Sequence, residues 1–174
     1  MQSQVSKTSR RTKGLALSAM FACLALIFSY VEAVIPFNIG IPGVKLGLAN
    51  LVIIIALYEM NFRYALVINV IRILISGLLF SGIFGALYSL AGGLLSLVVM
   101  WALKKTGIFS MVGVSMAGGV AHNMGQLLVA AAIVSNLRMF LYFPILMFSG
   151  LITGILIGIA AHIINQKVPK SLFR

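Results

Sequence analysis

The 174-residue chain is 61% hydrophobic and 9% charged, with a mean hydropathy of +1.14. A soluble domain carries about a quarter charged residues, so the polar residues here cannot cover a water-facing surface and a bilayer must supply most of the solvent. The formal charge of +11 comes from 13 Lys and Arg against 2 acidic residues; the basic residues cluster between apolar runs, which points to a positive-inside topology rather than to nucleic acid.

The chain opens on a basic arm, residues 1–13, expected to be disordered, and the rest is expected to form one transmembrane domain, residues 14–174. Six apolar runs predict six helices, at Gly14–Ile35, Leu46–Tyr58, Tyr64–Phe80, Ile83–Leu103, Met111–Val134 and Leu141–Ile164. The first run exceeds a signal-peptide core of roughly 7–15 residues and lacks a small-x-small cleavage site, so it is expected to be retained. The second is short for a bilayer that needs about 20 residues, and is expected to start earlier or to lie partly buried in protein. With the N-terminus cytoplasmic, ten basic residues fall inside (Lys7, Arg10, Arg11, Lys13, Arg63, Lys104, Lys105, Lys167, Lys170, Arg174) and two outside (Lys45, Arg138), leaving Arg72 within a span. That asymmetry places both termini in the cytoplasm. The lone cysteine, Cys23, excludes an intramolecular disulfide.

On the first helix Ser18, Ala22, Ala25 and Ser29 are small residues that let another helix approach closely. Two readings stand: packing within the bundle, or docking of a partner's helix. The loop PFNIGIPGVKLGLAN (Pro36–Asn50) carries two prolines and three glycines among apolar residues, which reads either as an ordered lid with Lys45 and Asn50 at its rim or as a tight connector. On the third helix Asn69, Arg72 and Ser76 form one polar stripe. Arg72 lies nine residues beyond Arg63, about 13 Å along a helix, where an unpaired guanidinium costs at least about 2.5–3.5 kcal/mol. Glu32 is one available partner, and an anionic group of a ligand is the other. Glu59 and Arg63, four residues apart, suit an interfacial pair.

The fourth helix carries Gly85, Ser89, Gly92, Gly93 and Ser96, and the last has Gly150, Gly154 and Gly158 in line. On the fifth, GGVAHNMGQLL (Gly118–Leu128) sets His122 and Gln126 one turn apart, with Gly118 and Gly125 close to the same face and Asn123 about 100° away. These polar groups either bond a neighbouring helix or line a ligand pocket.

Catalytic and metal signatures are absent. The chain has no aspartate, and two distant glutamates cannot form the carboxylate cluster that holds Mg²⁺ on a diphosphate. No phosphate-binding loop, no Cys/His metal set and no acid for a Ser–His triad occurs. The reading is a binding or transport protein, not an enzyme, with no cofactor.

Four motifs, PGVKLGLANLV (Pro42–Val52), GALYSLAGGLLS (Gly85–Ser96), GGVAHNMGQLLVA (Gly118–Ala130) and FPILMFSGLITGILIG (Phe143–Gly158), occur in order along nearly the whole chain after the basic arm. Together they resemble the bacterial family named heptaprenyl diphosphate synthase component I, also called the Gx transporter family. That family is similar to the S components of energy-coupling factor (ECF) transporters. The resemblance implies an all-α integral membrane protein of the bacterial cytoplasmic membrane, a compact bundle of six transmembrane helices that binds a vitamin-, quinone-precursor- or isoprenoid-like solute near its outer face. It further implies docking through small residues of the first helix, here Ser18, Ala22, Ala25 and Ser29, onto a transmembrane coupling subunit served by ATPase subunits. Its binding site would comprise Lys45, Asn50, Asn69, Arg72, Tyr88, His122, Asn123, Gln126 and Arg138, with Glu32 as the nearby anion. The family name leaves an alternative: a non-catalytic membrane subunit associated with heptaprenyl diphosphate or menaquinone synthesis, or with a flavin-linked electron-transfer assembly.

Overall fold

In a computed structural model, residues 2–35 and 46–173 are described, and all their regular structure is helical. The elements are α1 (Gln2–Val34), α2 (Leu48–Glu59), α3 (Phe62–Ser76), α4 (Gly82–Thr106), α5 (Met111–Val134) and α6 (Phe143–Lys167). A π-helical turn (Gly77–Ser81) joins α3 to α4, and short 3₁₀ segments follow α5 and α6 at Leu137–Tyr142 and Lys170–Leu172. Four helical stretches are long and apolar enough to cross a membrane: Thr12–Val34, Phe62–Thr106, Met111–Val134 and Leu137–Lys167.

Local chemistry sets the boundaries. The Asn61 side chain accepts from the Tyr64 backbone N–H at the start of α3, and the Ser110 hydroxyl does the same for Gly113 at the start of α5. Gly107, at φ 69°, ends α4 just after Lys104 and Lys105, which suit the negative end of a helix. Gly82, at φ 68°, breaks the 45-residue stretch Phe62–Thr106 so that it doubles back. A Cβ on Gly77 would lie 2.5 Å from that of Ala86, one on Gly93 would lie 2.9 Å from Asn69, and the Phe62 and Trp101 rings sit 5.2 Å apart. Those three contacts define an antiparallel hairpin. The basic arm differs from expectation: α1 begins at Gln2, because Gln2–Lys13 holds no proline or glycine to interrupt the helix.

α2 forms the centre. Ala49 and Leu51 through Leu57 are all buried, so this helix is covered on every side. At 12 residues it is about 18 Å long, well short of the other long helices. Both of its ends are held from outside. The Glu32 carboxylate of α1 accepts from the Gly47 and Leu48 backbone N–H groups, and Lys104 Nζ of α4 donates to the carbonyls of Leu57 (2.7 Å) and Tyr58 (3.3 Å). An anion at the N-terminus and a cation at the C-terminus each match the helix dipole.

α5 lies between α4 and α6, and glycines set the spacing. A Cβ on Gly119 would stand 2.3 Å from the Gly150 carbonyl oxygen, one on Gly154 would stand 2.7 Å from Met116 Cα, and one on Gly158 would stand 2.8 Å from Val112 Cα. On the other side, a Cβ on Gly125 would meet Ala91 O at 2.7 Å, and one on Gly92 would meet His122 O at the same distance. Backbone-to-backbone contact of this kind is how helices associate where lipid removes the hydrophobic drive. The glycine lines of α4, α5 and α6 therefore serve packing.

Candidate ligand-binding site

All six helices contribute to one cavity of about 110 Å³. Among the described residues its charged side chains are Arg72 from α3 and Glu32 from the end of α1. Asn50, in the first turn of α2, and His122, Asn123 and Gln126 of α5 add ring nitrogens and amides. Hydroxyls come from Ser29, Ser76, Ser81, Ser89 and Thr153, while Gly47, Ala49, Gly119 and Ala33 complete the wall.

Arg72 is only 7% exposed. Its Nε donates to Asn69 Oδ1 at 3.0 Å and its Nη2 to Asn50 Oδ1 at 3.2 Å. A guanidinium carries five N–H donors in a planar fork, so two neutral amides fix its plane and leave donors for the cavity. Asn69, 1% exposed, stands behind Arg72 rather than on the cavity wall; it positions the guanidinium from within the same helix. Gly93 makes room for it, since a Cβ there would come within 2.9 Å of Asn69 Nδ2.

The sequence left two partners open for Arg72. Here Glu32 faces the same cavity but its Oε1 is taken by the N-terminus of α2. The cause is local: Gly47 precedes α2 in the left-handed region at φ 78° and has no side chain to cap it. A carboxylate from α1 fills that role, while its charge still acts on Arg72 through space.

His122 and Gln126 both reach the cavity, and Gly92 of α4 is the surface against which they lie. Asn123 also reaches it, despite its different helical face, while its Nδ2 donates to the Leu146 carbonyl of α6 at 2.8 Å. It thus ties two helices together at the cavity wall. Tyr88 is half-buried and Arg138 is exposed in the 3₁₀ segment after α5; neither lines the cavity. Lys45 and the loop Pro36–Lys45 lie outside the described residues.

The small stripe of α1 faces inward. Ser18, Ala22 and Ala25 are buried, Ala25 completely, and the Ser29 hydroxyl, buried with no hydrogen-bond partner among the described residues, belongs to a residue of the cavity wall. Small residues mark close approach, and the helices packed against this stripe are α2 and α3 of the same chain. Thr153 was not anticipated. Its one signal in the sequence is a hydroxyl beside Gly154 in an otherwise apolar run.

Among the described residues no group of three or more His, Cys, Asp or Glu is placed to hold a metal ion. Comparison with curated proteins and with solved structures gives no match. The sequence model of the family described as heptaprenyl diphosphate synthase component I matches residues 21–164, a span that contains every residue of the cavity wall. The chain, helical throughout its described residues and with four stretches long and apolar enough to cross a membrane, belongs to that family.

Proposed function

We propose that this chain is the substrate-binding subunit of a membrane transporter for a small solute that carries an anionic group, resembling the S components of ECF transporters. The observation that carries the reading is Arg72: a buried guanidinium, held by two neutral amides, with donors left over at the wall of a polar cavity. Intramembrane charges are expensive and mark ligand paths. A transported anion would take the donors that Asn69 and Asn50 leave open at the cavity wall.

In this reading the six helices form one bundle in the bacterial cytoplasmic membrane, with α2 shielded from lipid by the others. Both termini are cytoplasmic. The contacts Lys13–Ser171, Phe62–Trp101 and Lys104–Leu57 gather the basic residues at one end of the bundle, and positive-inside bias puts that end in the cytoplasm. Energy comes from partners, a transmembrane coupling subunit and ATPase subunits, because the chain has no phosphate loop of its own. The coupling subunit docks elsewhere than on the buried α1 stripe.

The family description favours a second reading, a membrane component of a prenyl synthase. Catalysis by this chain is not part of it. Its two carboxylates, Glu32 and Glu59, flank the two ends of α2, roughly 18 Å apart, and cannot share a Mg²⁺ ion. A cavity open to six helices also has no role in a pure anchor.

The test is co-purification of solute. Full-length protein and an Arg72→Gln variant are purified from native membranes without ATP, and their small-molecule extracts are compared by mass spectrometry. A solute enriched at least tenfold with the wild type over the variant is expected. Equal extracts from the two proteins refute the reading.

A further inference from the structure

The cavity holds both signs of charge, and that limits what can fill it. Arg72 supplies N–H donors on one side. On the other, Glu32 spends Oε1 on the α2 N-terminus, and among the described residues Oε2 has no hydrogen-bond partner. The first turn of α2 separates the charges, with Leu48 bonded to Glu32 and Asn50 to Arg72. A simple anion would meet Arg72 favourably but would also face the carboxylate of Glu32. A simple cation would have the opposite problem.

Size adds a second limit. At about 110 Å³ the partly open cavity takes a handful of water-sized groups, below the roughly 300–1,000 Å³ of pockets for drug-sized ligands. A flavin ring system or a prenyl chain exceeds it. The same wall carries hydroxyls and amides: Ser29, whose buried Oγ has no partner among the described residues, Thr153 and Gln126. The wall is polar on several sides rather than an apolar slot for a ring or chain.

We infer that the solute is a small zwitterion, of free amino-acid type, with its carboxylate held by Arg72 and its ammonium by Glu32. The inference rests on the binding-subunit reading above and narrows the solute class. Each ligand charge then offsets one that the fold already keeps in the cavity, and neither protein charge is left facing a like one. Arg72 meets the carboxylate as a planar fork suited to two oxygens. Glu32 keeps its capping bonds through Oε1 while Oε2 receives an N–H of the ammonium.

The experiment uses full-length protein in lipid nanodiscs. The probes are the twenty standard amino acids and β-alanine, each beside its counterpart lacking the ammonium and its counterpart lacking the carboxylate, together with riboflavin and farnesyl diphosphate. Thermal unfolding identifies responders and titration calorimetry ranks them. At least one amino acid is expected to bind tenfold or more tightly than either of its counterparts. Arg72→Gln should abolish binding, and Arg72→Lys should weaken it. Glu32→Gln keeps an oxygen for Gly47 and Leu48, so its ligand-free unfolding should stay near wild type while the preference for the ammonium falls below threefold. If a counterpart without ammonium binds as tightly, or if riboflavin or farnesyl diphosphate is the ligand, the zwitterion is overturned and the binding-subunit reading survives. Response to no probe also overturns it, and the co-purification measurement then decides the broader reading separately.

Discussion

Gly119→Ala tests whether the α5–α6 contact is as close as its geometry indicates. In a helix interior, alanine is favoured over glycine by about 1 kcal/mol, so the substitution should stabilise unless the new methyl has nowhere to go. Here its Cβ would stand 2.3 Å from the Gly150 carbonyl oxygen, where ordinary contact begins near 3.4 Å. The shortfall is about 1.1 Å, and what stands in the way is backbone of α6, which cannot rotate aside as a side chain would. Moving α6 that far also loosens Gly154 from Met116 and Gly158 from Val112. Overpacking of this kind costs roughly 1–3 kcal/mol, which after the helix gain leaves a net loss of up to about 2 kcal/mol and a deficit of roughly 1–3 kcal/mol against a glycine-to-alanine change that meets no obstacle. Gly113→Ala is the control on the same helix: its nearest neighbours would be 3.7 Å away, so only the favourable part remains. Unfolding by sodium dodecyl sulfate in mixed micelles, followed by fluorescence of the sole tryptophan, Trp101, stacked near Phe62, reads both variants. If Gly119→Ala is as stable as Gly113→Ala, the close-packed α5–α6 interface is wrong.

Three further outcomes are expected. Lys104→Met removes the cation from the Leu57 and Tyr58 carbonyls and should destabilise by about 1–2 kcal/mol, with Lys104→Arg restoring most of it; equal unfolding midpoints for Lys104→Met and wild type would dismiss the clamp on α2. Asn50→Asp sets a carboxylate on Arg72 Nη2 in place of an amide oxygen 3.2 Å away. It should stabilise the ligand-free protein by roughly 1 kcal/mol and suppress binding of any carboxylate ligand, so undiminished carboxylate binding would show that Arg72 does not receive the anion. In a Cys23→Ser background, cysteine at position 138 should react with a membrane-impermeant maleimide in intact cells, and cysteine at position 105 only after permeabilisation. The reverse pattern would invert the proposed topology.

Several features could be read before any coordinates. Arg72 stood out because a charge in mid-span demands a reason, and Asn69 shares its helix face at a spacing that periodicity fixes. His122 and Gln126 were legible for the same reason, one turn apart in an apolar run. The α1 stripe was not. Ser18, Ala22 and Ala25 announce that something comes close, and nothing in a single sequence says whether that is a partner or this chain's own α2 and α3. Arg138 and Tyr88 were drawn in by residue type alone, and their position in the bundle removes both from the cavity wall.

Composition and the 3.6-residue period were enough to indicate a bilayer solvent, the helical class, the charge asymmetry and a cation within an apolar span. Only the tertiary structure decided that Glu32 caps α2 while Arg72 reaches across to Asn50. That outcome depends on a left-handed glycine at residue 47 and on which helix ends meet, contacts between residues 15 to 22 positions apart. Helical periodicity reports the face a residue occupies. The partner it meets there is set by how the helices assemble.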